Sequence, residues 1–208
     1  MKTILLAMTL LVISPFVSAF LSTITFRSKT FVSERSLKRL SMSMSISAQI
    51  PRAAVSCVVQ CSSPTNRLYL LVQRGKEPNK GLWSLPGGKL ELGESTLEGA
   101  KRELLEETQL SDALWYEEPF CVTDSIHRDG TGVIAFHYVI AQCFAQVNTL
   151  DGLLPTVVAS DDAANAEWHS MEQIRQRVQQ NESTSGIIKV IERAESLFQA
   201  GMLPLRQQ

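Results

Sequence analysis

A chain of 208 residues, 44% hydrophobic and 20% charged, has room for one folded domain with extensions rather than for several domains. Its net charge of −1 conceals an asymmetry: residues 1–50 carry six Lys/Arg against Glu34 alone, and residues 51–208 carry fourteen against twenty acids. The acidic body holds no Lys/Arg run, which argues against sequence-independent nucleic-acid binding.

The basic leader has the pattern of a targeting segment. Lys2 precedes an apolar run, Ile4–Ile13, interrupted only at Thr9. That run is too short to cross a bilayer and fits a signal-peptide core, with Val17-Ser18-Ala19 offering small residues for cleavage before Phe20. From Phe20 to Ala48 the chain is Ser-rich and basic, with Glu34 its only acid. This predicts a signal-peptide-like segment over 1–19 and a transit-peptide-like, disordered segment over 20–50, with no membrane span in the mature protein. The pair resembles the two-part address used by algae with complex plastids, which implies a plastid protein. Secretion and mitochondrial import are the alternatives.

Pro51 marks the start of a domain expected over 51–180. Ala53–Cys61 and Leu68–Gln73 are apolar runs that read as strands across a Ser-Pro-Thr-Asn turn. Lys76–Leu85 reads as a loop, and Pro86-Gly87-Gly88 as a bend. Ser95-Thr-Leu-Glu98 is a capping-box signal for a helix running to about Thr108, with Leu97, Ala100 and Leu104 on its core side. Phe120–Ile126 and Val133–Phe144 read as strands joined across a turn-rich segment, and Asn165–His169 as a short strand. Ser170-Met-Glu-Gln173 opens another helix. The spacing of Ile187, Val190, Ile191, Ala194, Leu197 and Phe198 predicts a C-terminal helix within 181–208 that packs on the domain or on a partner subunit, as in a homodimer. Cys57 and Cys61 lie ~13 Å apart on one strand, too far for a disulfide. With Cys121 and Cys143 they read as buried free thiols.

Glu103, Glu106 and Glu107 stand at i, i+3 and i+4 on the first predicted helix, within one ~100° sector. Like charges that close need a compensating cation, and hard divalent ions such as Mg2+ take carboxylate oxygens and bring phosphates with them. The stretch Gly88 through Glu94, Arg102, Glu103, Leu104, Glu106, Glu107 and Leu110 resembles the Nudix box, with Gln109 in place of the box glycine. That resemblance implies an α/β (α+β) fold, an α/β/α sandwich with a mixed central sheet. It also implies a Mg2+-dependent hydrolase of nucleoside diphosphate-linked substrates, with Mn2+ a possible substitute. Periodicity alone supports only mixed α and β.

The expected ligands are Glu103, Glu106 and Glu107, with the Gly88 carbonyl added by the resemblance. Glu94 and Arg102 are expected to pair and lock the loop onto the helix. Glu91 is a metal neighbour or an exposed loop residue. Gly99, one turn before Glu103, is expected to leave room for a phosphate or metal. Gln109 stands where a left-handed helix end is expected, at on the order of 1 kcal/mol. The general base is open among a box glutamate and the downstream carboxylates Asp161, Asp162 and Glu167, with His127 and His137 weaker. Arg74 and Lys80 are candidates to meet phosphates, and Trp83 either stacks on a base or anchors its loop by packing. The Arg74–Gly88 segment is similar to the approach loop of ADP-ribose pyrophosphatases, so ADP-ribose, giving AMP and ribose 5-phosphate, is the leading substrate. Alternatives are an oxidised nucleoside triphosphate pyrophosphatase and, from another class, a non-catalytic nucleotide sensor on the same fold. An isomerase of prenyl diphosphates would need a reactive cysteine, and these cysteines sit in apolar runs.

Overall fold

The computed structural model describes residues 50–62, 67–149 and 152–204. The signal-like and transit-like segments expected over 1–50 fall, but for Ile50, outside the described residues. Eight strands form one mixed sheet: β1 (Arg52–Ser62), β2 (Arg67–Arg74), β3 (Trp83–Ser84), β4 (Gly87–Lys89), β5 (Leu114–Trp115), β6 (Cys121–Arg128), β7 (Ile134–Asn148) and β8 (Ala163–Ser170). Among the described residues three helices cover it: α1 (Thr96–Thr108), α2 (Met171–Gln179) and α3 (Ile187–Gln199). The main path runs β3-β2-β1-β7-β5, with β4 beside β1, β6 beside β7 and β8 beside β2. Of these strands, only β1 and β7 pair with each other in parallel, from Arg52↔Tyr138 to Ser62↔Asn148.

The largely apolar run of β1, interrupted by Ser56 and Gln60, is explained by burial on both faces. Val55, Cys57, Val59 and Cys61 face one way, into a core closed by Ala100 and Leu104 of α1. Val58 faces the other way, beside Phe144, into a core closed by Ile174 of α2 and by Ile187, Val190, Ile191 and Ala194 of α3. The result is the α/β/α layering, with each fully buried Leu or Val contributing about 1.5–3 kcal/mol. The C-terminal stripe packs on the domain itself.

Three short strands escape periodicity. β3 lies in the segment expected to be loop, β4 in the expected bend, and β5 in a stretch with no assignment. Two or three residues carry no alternation to read, and all three form because a longer strand lies alongside. β7 extends four residues past the expected end because β1 pairs with it as far as Asn148. Cys57, Cys61 and Cys143 are buried free thiols, and Cys121 is half-buried.

Helix α1 starts as expected. The Ser95 hydroxyl accepts from Glu98 N at 3.2 Å, and the Glu98 carboxylate accepts from Ser95 N at 2.7 Å. It ends at Gln109, whose φ of 56° lies in the left-handed region while its N–H donates to Leu105 O at 2.9 Å. The glutamine side chain is exposed there. Replacing Gln109 with Gly removes the Cβ strain, so Gln109→Gly is expected to stabilise the fold by about 1 kcal/mol. Urea unfolding with an unchanged slope is the check; a destabilised variant refutes the strain.

Candidate functional site

The glycines of β4 let α1 approach the sheet. Gly87 (φ +151°) lies so close to β1 that a Cβ would come within 2.3 Å of Val55 O. A Cβ on Gly88 would meet the Glu103 carboxylate at 2.3 Å. Two carboxylates of α1 therefore come down onto a bare backbone. Glu107, buried, accepts from Gly87 N at 2.9 Å.

Arg102 organises the remaining acids. Its Nε and Nη2 donate to the two Glu94 oxygens at 3.0 and 2.7 Å. Nη1 donates to Glu103 at 3.0 Å and to Glu106 at 2.9 Å, and Nη2 also reaches Lys89 O at 3.0 Å. The expected Arg–carboxylate lock is thus present and bidentate. Glu94 also accepts from Glu91 N at 2.6 Å. Arg102 first, then that N–H, hold Glu94 below the usual carboxylate range.

Gly99 leaves room for something other than the expected phosphate or metal. A Cβ there would stand 2.9 Å from a Glu94 oxygen, so the space belongs to the Glu94 carboxylate. Glu91 is exposed. Burial raises Glu103, with Arg102 opposing. Burial pushes Glu107 up to about 7; the Gly87 N–H opposes, and the neighbouring Glu103 adds to the rise. Arg74 lowers Glu107 and Asp162 raises it, which places both in its electrostatic surroundings.

The downstream candidates separate. Asp162 is brought to the site: its carbonyl accepts from Gly75 N at 2.8 Å and its carboxylate pairs with Lys76. Asp161 precedes it with φ 50°. Glu167 is not brought there. It lies opposite Leu71 in register, on the face covered by α2 and α3. It accepts from Asn165 at 2.6 Å and neighbours His169 and Arg177. His137 pairs with Asp124 at 2.9 Å and His127 stacks on Phe136, both on the β6–β7 ribbon.

Arg74 donates to Pro78 O at 2.8 Å, so it shapes its own loop, and Lys80 is exposed on that loop. Trp83 is 4% exposed and cannot stack on a base. Arg177 covers its ring at 4.4 Å and His169 meets it edge-on at 4.9 Å. Its role is the packing alternative. Sequence reading missed Ser160, whose N–H reaches Glu107 O at 3.1 Å; a lone serine in an irregular stretch carries no sequence signal.

Among the described residues no three His, Cys, Asp or Glu side chains converge closely enough to enclose an ion. The Arg102 guanidinium pairs with Glu94, Glu103 and Glu106.

A family model of the NUDIX domain matches residues 50–191. The ADP-ribose pyrophosphatase of Methanocaldococcus jannaschii is 31% identical over 147 residues, 71% of this chain and 75% of that protein. Among solved structures, the C. elegans Ap4A hydrolase in a binary complex aligns with a TM-score of 0.56 at 18% identity, covering 72% of this chain and 98% of that one. The NUDIX domain of Shewanella oneidensis NrtR complexed with ADP ribose aligns at 0.54 and 19%, covering 78% and 97%. At those identities the two structures share the fold.

Two outcomes follow from the geometry. Gly99→Ala gains roughly 1 kcal/mol of helix propensity but displaces Glu94, so turnover should fall while the melting temperature holds. Wild-type turnover in that variant would show that Glu94 does not need the space. For Glu107, the folded protein keeps a proton that the unfolded chain gives up near 4.5. Its contribution to stability is therefore full below pH 4.5 and lost as pH rises to about 7. The loss is on the order of 3 kcal/mol. In EDTA, wild type should lose stability over that window relative to Glu107→Gln; parallel curves would refute the shift.

Proposed function

The chain belongs to the Nudix family and is a hydrolase acting on pyrophosphate bonds, and from that premise we propose that it cleaves a nucleoside diphosphate joined to a second moiety, ADP-ribose first, with Mg2+ as its cofactor. The observation that carries this reading is the meeting of Glu103 and Glu107 of α1 with the side-chain-free backbone of Gly87 and Gly88.

The residues present fit a hard divalent ion. Glu103, Glu106, Glu107 and the Gly88 carbonyl are all oxygen donors. Burial raises both Glu103 and Glu107, a shift that a nearby dication would reverse. Those four groups would hold Mg2+, or Mn2+ in its place, which supplies charge neutralisation on the phosphates and acidifies bound water. Arg102 would keep Glu94 and yield Glu103 and Glu106. Arg74 and Lys80 meet phosphate oxygens from the β2 side.

In the reaction water attacks one phosphorus of the pyrophosphate and the bridging P–O bond breaks, so ADP-ribose and water give AMP and ribose 5-phosphate. A carboxylate takes the proton from the water. That carboxylate is a box glutamate or Asp162, the downstream carboxylate in the electrostatic surroundings of Glu107. The Methanocaldococcus relative supports the substrate. All the box carboxylates are present, which favours the hydrolase over a non-catalytic sensor. Oxidised nucleoside triphosphates are the second substrate class.

Incubation with Mg2+ and a panel of nucleoside diphosphate sugars, dinucleotides and triphosphates, read by chromatography, should show ADP-ribose turned over fastest. Turnover of ADP-ribose no faster than the panel's background overturns the substrate. Glu106→Gln should lower kcat by roughly 100-fold or more with the melting temperature near wild type. Full turnover in that variant would make Glu106 surface charge only.

A further inference from the structure

The last four carbonyls of a helix have no partner within it. In α1 these belong to Leu105, Glu106, Glu107 and Thr108. Gln109 N takes the first. The other three are taken from one distant segment: Ser160 Oγ donates to Glu106 O, Ser160 N to Glu107 O at 3.1 Å, and Val158 N to Thr108 O at 2.9 Å. The residues whose carbonyls Ser160 holds are two of the three whose side chains are assigned to the ion. Two residues later the same segment is fastened to the end of β2. Gly75 N donates to Asp162 O at 2.8 Å, and Lys76 pairs with the Asp162 carboxylate. A Cβ on Gly75 would stand 2.8 Å from Asp162 O, so the contact is close on that side too.

We propose that residues 158–162 form a strap that sets the last turn of α1 against the end of β2, and that Ser160 is a positioning residue for the carboxylates of Glu106 and Glu107. The inference rests on the ion-binding role proposed above. Ser160 is the one residue of the strap that holds two successive carbonyls, through its side chain and its own N–H. Loss of the hydroxyl leaves the backbone bond and frees the Glu106 carbonyl. The turn can then rotate, and the two carboxylates lose their mutual setting. Substrate contacts made by Arg74 and Lys80 are untouched, so the defect falls on kcat and on ion affinity rather than on KM.

The test uses the full chain with three variants: Ser160→Ala, Ser160→Thr and Gly75→Ala, the last pushing the strap from its far side. Each is assayed for kcat and KM on ADP-ribose or the best substrate of the panel, for Mn2+ affinity by electron paramagnetic resonance without nucleotide, and for melting temperature. Ser160→Ala should lower kcat by about tenfold and weaken Mn2+ by several-fold, with KM within twofold and melting unchanged. Ser160→Thr should recover most of both, and Gly75→Ala should reproduce the Ala pattern. Unchanged kcat and Mn2+ affinity in Ser160→Ala overturns the strap, as does a loss that Thr does not restore or that follows melting temperature alone. If Ser160→Ala fails to fold, Gly75→Ala decides by the same readings. A wild type that binds Mn2+ but hydrolyses nothing on the panel refutes the activity; the Mn2+ affinities of the variants then still judge the strap.

Discussion

All five N–H bonds of one guanidinium are spent at this site. Arg102 gives two to Glu94, one each to Glu103 and Glu106, and one to the Lys89 carbonyl. An arginine has five donors in a rigid fork, and a lysine has three on a point charge. The side chain therefore does two things at once. It ties the loop after β4 to the helix, and it balances a turn of like charges that would otherwise repel. Everything else near it serves that arrangement: Gly99 clears space for Glu94, and Gly88 clears space for Glu103.

The electrostatics divide along the same line. Glu94, fully engaged by Arg102 and by the Glu91 N–H, is held ionised. Glu107 lies deeper, and its neutral form gains ground. One acid is thus structural and always charged, and another is poised between its two forms. The Arg102 pairing lowers the one, and burial raises the other.

What could be read from the chain was local. Both capping boxes lie within four residues, and the serine and its partner are found as spaced, at Ser95–Glu98 and Ser170–Gln173. The box residues are close in sequence, and Gln109 takes the left-handed end that its place implied. What could not be read was tertiary. Trp83 beside a Pro-Gly-Gly turn is compatible with stacking or packing, and only Arg177 and His169, far along the chain, decide for packing. Asp162 and Glu167 look alike as nearby acids, yet strand parity sends Glu167 to the opposite face of the sheet. Gly99 was legible as a gap but not as the place of Glu94, which reaches it from the loop.

Strand β1 belongs to both cores at once, with Val55, Cys57 and Val59 on one side and Val58 on the other. Such a shared spine removes the option of partial melting. The layer formed by α1 cannot loosen without disturbing the layer formed by α2 and α3, since both pack on the same strand. Amide hydrogen exchange should accordingly protect both layers as one cooperative unit, and the acidic helix inherits the rigidity of a domain much larger than itself.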